Sequence, residues 1–345
     1  MAFLCITTSL EKLEGKMKKI LLSTIVLALL AFSAYATGVP EDKPLTIGIT
    51  KIVAHPALDA LENGIMEVVL ETYPDAVFDN QNANGEMSTA SSIAQKFKTD
   101  KVDLAVGIAT PTAVALANVI TDVPVIFCAV TDPVDAGLVP SIDKSEGNIT
   151  GISDMTPVKD QIALLQELKD IKALGHVYSS GEANAVRLAE LAEEACTELG
   201  IEFVPSTVAT SAEVKQAAQA IAGRVDAFYV STDNTVVSAL AAIGDVAAKE
   251  GIPILSADPS SAPENGVFLA WGFDYYKMGQ ATGKLVVEVL QGTDPASIPT
   301  RFMTSVDDIE LFVNLDIAKE LGITVPADLV AKAETVVKDG TIETN

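Results

Sequence analysis

The sequence predicts an α/β protein made of two similar lobes of parallel sheet, joined by a hinge that the chain crosses several times. Three observations predict it. Short apolar runs of strand length alternate with helix-spaced segments of roughly 10–15 residues, the pattern of βαβ units whose sheet is covered on both faces. The alternation breaks once, at Gly147–Ser153, and then starts afresh. The strand and helix pieces that trail after Asp258 are too few for a third domain, so they return first to one lobe and then to the other.

The first series begins with a buried strand at Leu45–Thr50 and a helix at Pro56–Thr72. A strand at Ala76–Gln81, a helix at Met87–Phe97 and a strand at Val102–Ile108 follow. Pro111 stands at the opening of the next helix, which runs to Asn118; proline's missing N–H costs nothing there. Val123–Val130 is the fourth strand. The second series alternates helix Val158–Leu168, strand Leu174–Ser179, helix Ala183–Leu199 and strand Glu202–Thr207. It continues through helix Ala212–Ala222, strand Val225–Ser231, helix Thr235–Lys249 and strand Pro253–Ala257. The trailing pieces are a strand at Val267–Trp271, a long helix at Tyr275–Leu290 and a last strand near Glu310–Val313, with terminal helices at Leu315–Leu321 and Ala327–Val337. The expected division is residues 44–152 plus about 262–302 for lobe one, and 155–258 plus about 308–345 for lobe two.

Residues 1–36 read as an export signal. Lys16, Lys18 and Lys19 precede the uncharged stretch Ile20–Phe32, and Ala34-Tyr35-Ala36 forms a small-x-small cleavage site. That stretch is too short to span a bilayer, which takes about 20 residues. Met17 stands among the lysines where such a signal would begin, so Met1 and Met17 are alternative starts. No cysteine sits at the cleavage site, and a soluble periplasmic protein without permanent membrane insertion is expected.

The 345 residues, less this segment, leave about 300, enough for two cores of ordinary size. Acidic residues outnumber basic ones 47 to 23, a formal charge of −24, which repels phosphate backbones and anionic lipid and so argues against nucleic-acid partners. Two histidines and three cysteines leave little material for a metal site, and no cofactor is expected. Cys128 and Cys196 fall in different lobes and read as buried thiols. The sequence carries no G-x-S-x-G, H-E-x-x-H, C-x-x-C, Walker A or G-x-G-x-x-G pattern, so no catalytic residue is assigned.

In open parallel sheets, ligands sit beyond the carboxyl ends of the strands, where helix N-termini present free N–H groups. In lobe one those ends carry His55-Pro56, Asn80 to Asn84 with Asn82 among them, Ala109-Thr110-Pro111, and Thr131-Asp132-Pro133. In lobe two they carry Ser179-Ser180 with Asn184 in the helix beyond, Ser206-Thr207, Ser231-Thr232-Asp233-Asn234, and Ser256 to Ser260 around Asp258. Small polar residues and acids dominate, with no lysine or arginine, which suits a small polar ligand. Ala109-Thr110-Pro111 serves either as a plain helix cap or as a carboxylate site made of free N–H groups and the Thr hydroxyl. Asp233 serves either as an N-cap or as the partner of a ligand ammonium. Asp132 and Asp258 precede prolines, where turn roles explain them equally well. His55 either lines the cleft or packs, and His176 reads as core. Trp271, Phe273, Tyr275 and Tyr276 form either a stacking face for a ring or a hinge-side cluster.

Several segments carry a family resemblance: Ile49 through Asp59, Asn82-Ala83-Asn84-Gly85, Ala109 through Ala113, Val123 through Phe127, Thr131 through Val139, Asn148 through Gly151, and Phe312-Val313-Asn314-Leu315. Through them the chain resembles the substrate-binding proteins of ABC transporters with the type I periplasmic-binding fold, and within these the tryptophan/tyrosine transport-component family. The resemblance implies two Rossmann-like lobes, three hinge crossings, a monomer, and an amino-acid-like ligand, aromatic in the better-known members of this family, trapped by closure rather than transformed. It also implies delivery to an ABC permease with its ATPase. It would give the α-carboxylate to Ala109–Thr110 and the α-ammonium to Asp233. That family commonly has Gln where this chain has Lys51. A sensor subunit for a membrane signalling protein, and an exported hydrolase of small molecules, are the alternative readings.

Overall fold

The computed structural model describes residues 43–344, so the export segment lies outside the described residues. The chain runs through β1 (Thr46–Lys51), α1 (Pro56–Thr72), β2 (Val77–Asn82), α2 (Met87–Asp100), β3 (Leu104–Ile108), α3 (Thr110–Ala117), β4 (Val125–Cys128) and β5 (Ile149–Ser153). The second series comprises α4 (Val158–Leu168), β6 (Ala173–Ser179), α5 (Ala183–Leu199), β7 (Glu202–Val208), α6 (Val214–Ala222) and β8 (Ala227–Val230). Next come α7 (Asn234–Val237), α8 (Leu240–Glu250), β9 (Ile254–Ser256) and β10 (Leu269–Phe273). The chain ends with α9 (Tyr275–Leu290), β11 (Arg301–Phe302), β12 (Ile309–Asn314), α10 (Leu315–Glu320), α11 (Ala327–Lys332), β13 (Thr335–Lys338) and β14 (Thr341–Thr344).

These strands form two sheets. One has the order β11-β5-β4-β3-β1-β2 and is parallel throughout. The other has the order β14-β13-β12-β10-β9-β8-β6-β7, parallel except where β10 meets β12 and β13 meets β14. All residues of β3, β4 and β8 are buried, as continuous apolar strands covered on both faces must be. In each sheet the strand order reverses beside the first strand of its series, between β1 and β3 and between β6 and β8. A crevice opens at such a switch point.

The chain passes between the sheets three times: after β5, after β10, and between β11 and β12. Helix α9 then packs on α1 of the first lobe at glycine-only distance. A Cβ on Gly64 would lie 2.5 Å from the Tyr276 carbonyl oxygen, and one on Gly279 would lie 2.4 Å from that of Leu61. Cys128 and Cys196 are free and buried, one in each lobe. Among the described residues no helix is long and apolar enough to cross a membrane.

The structure corrects the sequence reading in four places. Gly147–Ser153 is not merely a break: Ile149–Ser153 is β5, paired with β4, and Asn148 steadies its entry by donating to the carbonyls of Ile120 and Val123. The helix expected over Thr235–Lys249 is two helices, interrupted at Ser238-Ala239. The segment from about 262 to Phe273, expected in lobe one, supplies β10 to the second sheet, so the return to lobe one starts with α9. The helix expected over Ala327–Val337 ends at Lys332. Beyond it the β-branched Thr335-Val336-Val337 pairs in a hairpin turned by Asp339-Gly340, both at positive φ (51° and 74°), the geometry that an Asp-Gly turn favours.

Candidate functional site

The carboxyl ends of the two sheets face each other across a nearly filled cavity with about 20 Å³ of free space, room for about one water. Lobe one contributes His55, Ala57, Leu58, Ala109, Ala129 and Thr131. Lobe two contributes Asn184, Thr232, Asp233, Asn234, Val237 and Asp258. The hinge contributes Asp154, just after β5, and Tyr275, at the start of α9. Ala109 and Ala129 both hold positive φ (75° and 52°), a strained conformation for a residue with a Cβ, at the points where β3 and β4 leave the sheet. A larger groove of about 670 Å³ lies around Trp271, Val306 and Leu311, with the charged Asp160, Glu167, Lys332 and Glu334 also on its walls.

The cavity is rich in buried polar atoms to which the protein supplies no hydrogen-bond partner. They are Asn184 Oδ1, Thr232 Oγ1 and Asp258 Oδ2, with Thr110 Oγ1 behind Ala109, and the ring nitrogens of His55, whose one side-chain interaction is a loose one with Asn234. Buried polar groups are nearly always paired, so such a cluster makes this cavity the candidate place for a ligand's polar groups.

The acids of the site differ in how they are occupied. Asp258 Oδ1 accepts from the backbone N–H and the hydroxyl of Ser260, at 2.9 and 2.6 Å, while its Oδ2 is open. Asp233 is used on both sides. Its Oδ1 caps α7 through Val236 N at 3.0 Å, and its Oδ2 accepts from Ser179 N at 2.6 Å. Burial, with the charge of Glu182 adding to it, pushes the Asp233 carboxyl up to about 8. Glu182 itself is taken up by Asn234 and by the backbone and hydroxyl of Thr235, which fixes the start of α7.

Asp154 ties the hinge together, accepting from Thr131 Oγ1 at 3.2 Å and from the Tyr275 hydroxyl at 3.3 Å. Burial pushes it up to about 6 against the pull of those two donors. Burial also holds His55 below the usual histidine range, although Asp258 and Asp59 act in the opposite sense. The ring is therefore neutral at pH 7. No lysine or arginine lines the cavity.

Of the sequence candidates, His55, Ala109, Thr131, Asn184, Thr232, Asp233 and Asp258 line the cavity, and Thr110 sits directly behind it. Asn82, Asp132, Ser179 and Ser180 do not. Asn82 accepts from Asn84 N in a turn, and Asp132 from the N–H groups of Val134 and Asp135. Ser179 braces Asp233 through its backbone, and Ser180 is exposed. Lys51 points away from the cavity into an ion cluster with Asp59 and Glu62. His176 is core, stacked on Tyr229 and bonded to that residue's carbonyl at 2.9 Å. The sequence reading missed Asp154, which follows the strand taken for a break, and left Tyr275 undecided between ring-stacking and hinge packing.

Comparison with known proteins places this geometry. A family model for ABC transporter substrate binding proteins matches residues 46–337. A tyrosine-binding protein of Clostridioides difficile (strain R20291) is 37% identical over 284 residues, covering 81% of each chain. A solved ABC domain in complex with L-Trp from Streptococcus pneumonia is 31% identical, covers 86% of this chain and 100% of its own, and superposes with a TM-score of 0.81. A ligand-free, open substrate-binding protein with adhesive properties from Clostridium difficile is 34% identical, covers 85% and 99%, and superposes with a TM-score of 0.64. At similar identity, the lobes here stand closer to the arrangement of the L-Trp complex than to that of the open form.

Proposed function

The chain belongs to the ABC transporter substrate-binding proteins, with the type I periplasmic-binding fold, and from that premise we propose that its interlobe cavity captures an aromatic α-amino acid as the zwitterion. The reading further holds that the protein works as a monomer outside the cytoplasm. There it would hand the ligand to a membrane permease driven by a separate ATPase.

The observation that carries the ligand assignment is the ring of unpartnered buried atoms. In this reading the ligand carboxylate lies at the start of α3, against the Thr110 hydroxyl and the first-turn N–H groups that an α-helix leaves free. The ammonium goes to Asp258 Oδ2 and Asn184 Oδ1, the two acceptors with spare capacity on the facing lobe. This moves the ammonium from Asp233, because the Asp233 oxygens already serve the backbone of Ser179 and Val236. The apolar walls, Leu58 and Val237, together with Tyr275 and His55, receive the ring. Each lobe supplies half of the contacts, so closure is favoured only with the ligand in place. Relatives that carry tyrosine in the name and L-Trp in the solved complex support an aromatic side chain.

Titration calorimetry of the mature protein with L-tyrosine and L-tryptophan tests the reading, together with the variant Asp258→Asn. Removing one partner of a buried charge pair costs about 2–5 kcal/mol. Roughly a 30-fold or greater loss of affinity is therefore expected, with unfolding in urea little changed. Wild-type affinity in Asp258→Asn, or failure of every aromatic amino acid to bind the wild-type protein, would overturn it.

A further inference from the structure

Beyond the ligand's own contacts, the two lobes meet through a charge pair at the cleft mouth. Arg187 lies on α5 of lobe two, and Asp132 lies in the loop after β4 of lobe one. Arg187 Nε stands 3.5 Å from Asp132 Oδ2. Among the described residues this is the one ion pair that joins the lobes away from the hinge. Neither residue lines the ligand cavity.

Each partner is held ready by its own lobe. Asp132 spends Oδ1 on the N–H groups of Val134 and Asp135, at 3.1 and 3.0 Å, which leaves Oδ2 turned outward. Arg187 is steadied by Glu190 one helical turn on, through Nη1 at 3.2 Å, which leaves Nε to face across the cleft. Both anchors are made within one lobe and survive separation of the lobes, whereas the Arg187–Asp132 contact does not. Little side-chain freedom is lost when the pair forms, which removes the main cost that makes surface ion pairs weak.

We propose that Arg187 and Asp132 form a latch across the cleft mouth, a pair of positioning residues that stabilises the closed state without touching the ligand and so slows its escape. The inference rests on closure of the lobes around a ligand and goes beyond the identity of that ligand. Because the pair is only partly buried, salt weakens it, while charges inside the cavity are screened far less.

The test uses L-tyrosine as probe and stopped-flow displacement as readout, with wild type, Arg187→Gln, Asp132→Asn, the double variant and Arg187→Lys. Asp132→Asn retains the carbonyl oxygen that holds the turn. A pair of this exposure predicts a dissociation rate roughly two- to five-fold faster in each single variant. The double variant should be no faster than the singles, and Arg187→Lys should recover part of the loss. The wild-type rate should also rise between about 0.01 M and 1 M salt, as the Debye length falls from about 30 Å to about 3 Å, with the variants flat. A second arm needs no ligand: spin labels at Lys144→Cys and Lys172→Cys, one exposed site on each lobe, report lobe separation while the two native cysteines stay buried. Arg187→Gln should shift that distance distribution toward the longer, open form. Dissociation rates and ligand-free distances that both match wild type would overturn the latch. If L-tyrosine fails to bind at all, the ligand assignment fails and the ligand-free distances decide the latch alone.

Discussion

Replacing Asp154 by Asn should make the ligand-free protein more stable at neutral pH. The carboxyl is buried at the hinge and held at about 6 against its ordinary 3.8, so the folded chain binds this proton more tightly than the unfolded chain does. Below about pH 3 both states are protonated and the residue is neutral toward folding. Between 3.8 and about 6 the unfolded chain gives up its proton while the folded chain keeps it, and stability falls as pH rises. Above that window the loss is complete, at about 3 kcal/mol for a shift of about two units. Asn does not titrate, can still accept from Thr131, and can donate to the Tyr275 oxygen. Urea unfolding of both proteins at about pH 3 and at pH 7.5 would measure the effect. The two should nearly coincide at the acid end, and Asn should lead by about 3 kcal/mol at the neutral end. Equal stability at pH 7.5, or a less stable Asn variant, would refute the reasoning.

Two further outcomes follow from the same geometry. His55 is held below its ordinary pKa of 6.5 and faces Asp258, so it becomes cationic only in acid and then competes with the ligand ammonium for the same carboxylate. Affinity for L-tyrosine should hold from neutral pH down to about 6.5 and drop below it, and His55→Gln should flatten that drop in calorimetric titrations across pH. Gly64→Ala places a methyl 2.5 Å from the Tyr276 carbonyl oxygen and 2.8 Å from Gln280 N, both backbone atoms that cannot swing aside. The helices α1 and α9 must part, at a cost of about 1–3 kcal/mol in denaturant unfolding.

The lobes and most of the cavity wall were legible because both follow from local rules. Apolar runs such as Leu104-Ala105-Val106-Gly107-Ile108 can only be strands buried on both faces, and whatever follows such a strand lies at the ligand edge. That placed Ala109, Thr131, Thr232 and Asp258 on the cavity without any knowledge of the tertiary structure. Choosing between Asp233 and Asp258 was beyond the sequence. Both stand just past a strand with a helix or turn to follow, and the difference lies in Ser179 N, 54 residues from Asp233, which fills the oxygen that would otherwise be open. Asp154 was lost for a related reason. Its strand, Ile149-Thr150-Gly151-Ile152-Ser153, carries a glycine where a Cβ would lie 2.1 Å from the Phe127 carbonyl oxygen, and a tertiary close approach of that kind looks like a loop when read along the chain.

The unpartnered atoms also set the energy scale of closure. A buried donor or acceptor left without a bond costs about 1–3 kcal/mol, and three such atoms meet the zwitterion in the proposed pose, one each on Thr110, Asn184 and Asp258. At the low end this sums to about 3 kcal/mol that a well-matched ligand recovers and a poorly matched one does not. Swinging a two-state equilibrium from 1:99 to 99:1 takes about 5.5 kcal/mol of differential affinity. In the proposed pose the polar contacts therefore supply, at the low end, about half of that swing, and burial of the ligand's ring has to supply the rest. A latch of the Arg187–Asp132 kind, worth a few-fold, can tune how long the closed state lasts but cannot replace the ligand in producing it.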